Sequence, residues 1–163
     1  MTIFDLQDAM AAEIERITAD MRFLSPKGEM TAMRAYKQAL PTRAVGEIGG
    51  DEDDEDPYPY CIVRADSGEA QGALGNQKIL MILIFGIYDP TSERQGMQAA
   101  INIAQRIVER FTTDPLLDNR FRLSSEEKLR WETAADEDYP YYFAAVSMTW
   151  EIPSYRRERD RYA

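Results

Sequence analysis

The chain has no histidine and one cysteine, Cys61, in 163 residues. Without histidine there is no His-based catalytic triad, no histidine zinc site and no imidazole acid–base pair. A lone cysteine cannot close an internal disulfide, so a disulfide-stapled scaffold is excluded. Long apolar runs are also missing. The longest, residues 79–88, falls well short of the ~20 residues a membrane helix needs. The opening residues, MTIFDLQDAM, carry neither a basic n-region nor an apolar h-region, so no secretory signal is expected and the place of synthesis is expected to be the cytoplasm. Neither G-x-x-x-x-G-K-[ST] nor G-x-G-x-x-G occurs, and Gly68, Gly72 and Gly75 do not form a phosphate loop. Basic excess is lacking too: the formal net charge is -10, which argues against wrapping nucleic acid with the whole surface.

What is present is the balance of an ordinary globular domain, with 44% apolar and 29% charged residues. The length suits one domain, residues 1–153, with a short basic arm at 154–163. The charge is unevenly placed. Asp51, Glu52, Asp53, Asp54, Glu55 and Asp56 are contiguous; without these six, 19 basic residues face 23 acidic ones. Gly49 and Gly50 before the run, and Pro57 and Pro59 after it, disfavour helix and strand, so an acidic loop is expected over 49–57. In the arm, Arg156, Arg157, Arg159 and Arg161 outweigh Glu158 and Asp160.

Along the chain, Thr2 and Asp5 form a candidate capping pair for a helix over 2–24, with Met10, Ile14, Ile17, Met21 and Leu24 as its apolar stripe. Residues 30–40 are helix-like in composition, stop at Pro41, and stay open between helix and strand. Residues 58–64 read as a strand and 67–76 as a glycine-bearing connection. Residues 78–88 are the strongest strand: Ile79, Met81, Leu83, Phe85 and Ile87 take one face, Leu80, Ile82, Ile84 and Tyr88 the other. Both faces are apolar, so both should be covered. Ser92 and Gln95 propose a capping box for a helix over 92–112, buried through Met97, Ala100, Ile101, Ala104, Ile107, Val108 and Phe111. Residues 120–123 and 128–133 are short strand candidates. In residues 142–152, Tyr142, Ala144, Val146, Met148, Trp150 and Ile152 alternate with Ser147, Thr149 and Glu151. The expected fold is α+β: a mixed, mostly antiparallel sheet of four to five strands with two main helices packed on one face. The sheet face bearing Leu80, Ile82 and Ile84 then needs a cover, from a second subunit or from a loop or the N-terminal segment folding over it.

No catalytic constellation emerges, and no enzyme, metal or cofactor is expected. Six contiguous acids lack the spacing, bend glycine and distal glutamate of a calcium loop. They read as a solvated loop or as an electrostatic surface. Cys61, between Tyr60 and Ile62, reads as a buried, inert thiol. The arginines of the arm are either solvated or a small docking device.

One ordered series has a counterpart elsewhere. Leu40-Pro41 leads into a variable loop, then Pro57-Tyr58-Pro59-Tyr60-Cys61-Ile62-Val63-Arg64, then the apolar strand ending Phe85-Gly86-Ile87-Tyr88-Asp89. Gly96 opens the next helix, followed by Asp114-Pro115-Leu116-Leu117, and Tyr139-Pro140-Tyr141-Tyr142-Phe143 enters the strand that ends Trp150-Glu151-Ile152-Pro153. This series, about two thirds of the chain, resembles the phage tail terminator family, also called tail-completion or minor tail proteins. The N-terminal helix and the acidic run are where the chain departs from it. The resemblance favours a strand within residues 30–40. It implies a virion protein, made in the host cytoplasm, that forms a ring, commonly of six copies. The ring caps the tail tube, ends its polymerisation, meets the head-side connector and lets DNA pass through its lumen without specific binding. The acidic run would then face the lumen or a docking partner, where carboxylates hold phosphates weakly. Leu80, Ile82, Ile84 and the four arm arginines are the expected subunit or partner contacts. The competing readings are a head-completion or neck connector protein, and a small acidic adaptor that mimics a polyanion.

Overall fold

The computed structural model describes residues 2–40, 57–73, 75–93, 95–134 and 139–153. The acidic run and the basic arm lie outside the described residues.

Helix α1 spans Ile3–Ile17. Its start is the expected capping box: the Asp5 amide donates to Thr2 Oγ1 at 3.2 Å and the Thr2 amide to Asp5 Oδ2 at 2.7 Å. Leu6, Gln7, Met10 and Ile14 are buried. The helix ends earlier than expected. Arg106, from the second helix, donates to the Ile17 carbonyl at 3.2 Å and to Asp20 at 2.7 Å, so a distant guanidinium satisfies the last turn. The expected tail of the helix instead becomes β1 (Phe23–Leu24), which pairs with β2 (Met30–Thr31) in a separate two-stranded sheet.

The main sheet is larger than the sequence implied. It comprises β3 (Arg34–Lys37), β4 (Tyr60–Ala70), β5 (Gln77–Tyr88), β6 (Leu116–Leu117), β7 (Phe121–Leu123), β8 (Arg130–Thr133) and β9 (Tyr141–Ile152). The order is β3-β4-β5-β9-β7-β6, with β8 also on β9, and only β3–β4 is parallel. Of the described residues, strand accounts for 40% and helix for 25%, and the seven strands form a half-barrel. The expectation of two helices on a four-to-five-stranded sheet is therefore corrected to a sheet-rich fold. β7 and β8 fall on the expected short strands and β3 in the stretch left open, whereas β6 was not expected: it is two residues long, too short to show a period, and exists through its partner β7. β4 also runs past Arg64 into residues expected to be loop, because β5 pairs with it as far as Ala70↔Gln77.

Helix α2 spans Gly96–Thr113, four residues later than the Ser92 capping box proposed. Gln95 is the cap residue and makes no side-chain cap bond. A Cβ at Gly96 would stand 2.2 Å from the Tyr142 ring, so the helix begins where its backbone can lie on that ring. The buried stripe is Ala100, Ile103, Ala104, Ile107 and Phe111; Met97, Ile101 and Val108 are half-buried. The stripe is thus rotated from the expected one, and Ile103 replaces Ile101 at its centre. α1 and α2 share one core with the first sheet face: Val63, Met81, Leu83, Phe85, Val146 and Met148 are all buried there, and Phe111 meets Trp150 edge-on at 5.2 Å. Glu13 clasps the helices together, accepting from Arg110 Nε at 2.7 Å and from Arg16. These bonds hold its carboxyl below the ordinary range.

Candidate interface on the second sheet face

Register places the expected contact residues side by side. Ile82 stands between Arg64 and Ser147, Ile84 between Ile62 and Ala145, and Leu80 between Ser67 and Thr149. Leu80, Ile82 and Ile84 are half-buried, whereas Ile79, Met81, Leu83, Phe85 and Ile87 on the opposite face are buried. The expected burial of β5 on both faces therefore holds only for the first. Among the described residues, no helix or strand lies across the second face, because both helices join the core on the first.

The second face changes character along its length. At one end rings gather over Gly86: Tyr58 lies 4.7 Å from Tyr141, 5.0 Å from Tyr60 and 6.3 Å from Phe143, and Tyr88 lies 5.7 Å from Tyr141. A Cβ at Gly86 would stand 2.3 Å from the Tyr60 ring, so only glycine admits that packing. The middle is aliphatic. At the other end a groove of about 700 Å³ opens, floored by Leu80, Ile82, Ala145, Ser147 and Thr149 and walled by residues of the 126–132 segment. Lys78 ties down part of the wall, donating to Glu126 Oε2 at 2.6 Å with Glu127 at 3.9 Å. The Glu126 hydrogen bond raises the Lys78 ammonium, and Lys78 lowers the Glu126 carboxyl. Both stay charged at neutral pH, so the groove combines a floor of aliphatic and hydroxyl side chains with a charged, salt-bridged wall. That composition suits a protein interface.

The structure unites Leu80, Ile82 and Ile84 on one face. The expected acidic contacts Asp51–Asp56 and the arginines Arg156, Arg157, Arg159 and Arg161 lie outside the described residues. The aromatics Tyr58, Tyr60, Trp131, Tyr141 and Phe143 read from the sequence as core or interface side chains, but neither their clustering nor the 126–132 wall was anticipated. The signal for the floor was present in the polar half of the β9 alternation; the wall depends on how β8 pairs. Trp131 is 48% exposed and sits on β8. Cys61 is buried, and burial pushes its thiol well above the usual value. Among the described residues no group of three or more His, Cys, Asp or Glu side chains is placed to hold a metal, and no helix is long and apolar enough to cross a membrane. No protein-family model and no curated protein matches the chain.

Proposed function

We propose that this chain is a structural protein of a phage virion, a subunit of a ring that caps the tail tube, ends its polymerisation and joins it to the head-side connector while DNA passes through the lumen. One observation carries the reading: on the second sheet face the apolar Leu80, Ile82 and Ile84 of β5 are only half-buried, beside a cluster of tyrosine rings, with no described element across them. A lone domain gains nothing from such a surface; an assembling one needs it. The order of features from Leu40 to Pro153 that resembles tail terminators supplies the kind of assembly. Leu80, Ile82 and Ile84 are the subunit or partner contacts, the acidic run faces the lumen or a docking partner, and the arm arginines extend the contact after Pro153. The partners are further copies of the chain, the tube protein and the connector. Mass measurement by light scattering after size exclusion, from micromolar to near-millimolar chain, tests the reading. A discrete multimer of about six copies is expected. A monomer at every concentration, with and without tube protein, would refute it.

A further inference from the structure

Two stretches of sheet edge are left open, and they sit at diagonally opposite corners. On one side β3 covers β4 only over Tyr60–Val63, and the Gln38 side chain covers the Ala65 amide at 2.7 Å. Beyond the irregularity at Ala65/Ser67, residues 67–70 are exposed and pair with β5 alone. On the other side β9 is covered by β7 at Trp150 and Glu151 and by β8 over Ala144–Ser147, and β8 has no outer partner among the described residues. All four β8 residues are exposed. Unpaired edges of this length are templates for another strand.

We infer that copies join by pairing the outer edge of β8 with residues 67–70 of the next copy, antiparallel, with Trp131 opposite Gly68, Arg130 opposite Glu69 and Glu132 opposite Ser67. Strand direction, backbone, face and chemistry agree on this register, the face following from the first two. Strand direction is the first. β8 opposes β9, β9 opposes β5 and β5 opposes β4, so a neighbour that continues the sheet presents its β4 antiparallel to β8. The second is the backbone. The Ala134 amide donates inward to Phe143 O, so Glu132 and Arg130 also point inward and Trp131 points outward. The Gln71 amide donates inward to Asn76 O, so Glu69 and Ser67 point inward and Gly68 outward. Outward groups therefore meet outward groups at Trp131 and Gly68. The third is face. Glu132 opposes Ala145, on the second face, and Ser67 opposes Leu80, on the same face, so the pleat continues across the joint. The fourth is chemistry. Arg130 meets an opposite charge at Glu69, and the half-exposed Trp131 ring lies against Gly68, across which Ile79 already leans.

The contact is head-to-tail, since β8 and β4 are different surfaces, and such a contact closes into a ring or runs on as a filament. It also sets the neighbour's hairpin beside Arg130 and Glu132 at the rim of the groove. The joint deepens the ring reading above and relies on it only for closure.

Cross-strand cysteines test the register. Ser67 and Glu132 would form a non-hydrogen-bonded pair with Cα atoms about 4.5 Å apart, a separation that a disulfide spans. Cys61 is buried and does not compete. Mild oxidation of the Ser67→Cys/Glu132→Cys protein should give a ladder of covalent multimers on a non-reducing gel. Ser67→Cys/Trp131→Cys, whose thiols leave opposite faces, should give none. Arg130→Glu should weaken association at least tenfold, and adding Glu69→Arg should restore it. A native-mass multimer without the ladder overturns the joint and leaves the ring standing. A ladder of unlimited length supports the joint and removes closure. A chain that is monomeric and unlinked overturns both.

Discussion

Replacing Ile82 with Asp separates the surface proposed for assembly from one needed for folding. Ile82 is half-buried at the centre of the second face, between Arg64 and Ser147. Burying a whole isoleucine side chain contributes about 1.5–3 kcal/mol, so losing half of that costs the isolated chain ~1 kcal/mol. Aspartate is also a poor strand former, which adds up to ~1 kcal/mol. In a chain of this size the melting temperature should fall by about 2–8 °C, with folding retained. Assembly is another matter. A carboxylate pressed under a partner without a counter-charge costs several kcal/mol, and each 1.4 kcal/mol is about tenfold in association. Association should weaken at least hundredfold. Leu83→Asp is the control. Leu83 is the next residue on β5, has 0% exposure and stands between Val63 and Val146, so that variant should not fold. Calorimetry paired with light scattering checks both. If Ile82→Asp assembles like the parent, the second face is no interface. If it unfolds like Leu83→Asp, something within one chain already covers that face.

Three further outcomes test the packing. Ile103→Ala on α2 should cost about 2–5 kcal/mol, Val108→Ala ~1 kcal/mol and Gln105→Ala almost nothing by urea denaturation, because Ile103 is buried, Val108 half-buried and Gln105 exposed; equal costs at Ile103 and Val108 would contradict the rotated stripe. Glu13, whose folded carboxyl titrates below its ordinary 4.5, contributes stability that is present above that value and is lost as pH falls through the folded value; Glu13→Gln should therefore lower stability at neutral pH and lose less of it on acidification than the parent, and parallel pH curves would exclude the clasp. Gly86→Ala should cost about 1–3 kcal/mol by overpacking against the Tyr60 ring, and the cost should shrink in a Tyr60→Leu background, as read by thermal melts.

The parts of this fold that were legible in the sequence share one property: their signal repeats. β5 is a long, nearly unbroken apolar run and β9 alternates over twelve residues, and the buried members of β9 are the ones the alternation predicts. The capping box of α1 is local and reads directly from Thr2 and Asp5. What was misread depends on partners distant in sequence. Met21 and Leu24 continue the α1 spacing, yet the Arg106 bonds to Ile17 and Asp20 come from another helix. Residues 67–70 look like loop because they are polar and glycine-bearing, and β5 makes them strand. β6 is two residues long and has no period at all. The candidate interface divides the same way. Leu80, Ile82 and Ile84 stood out because apolar residues on both faces of one strand demand two covers. The groove wall and the open edges could not be foreseen, since they follow from which strand pairs with which and how far.

Cryo-electron microscopy of purified virions that carry this chain tests the central claim most directly. The account predicts a closed ring of these subunits between the end of the tail tube and the head-side connector, with the DNA channel through its centre. A position elsewhere in the particle, or absence of the chain from mature virions, would contradict it.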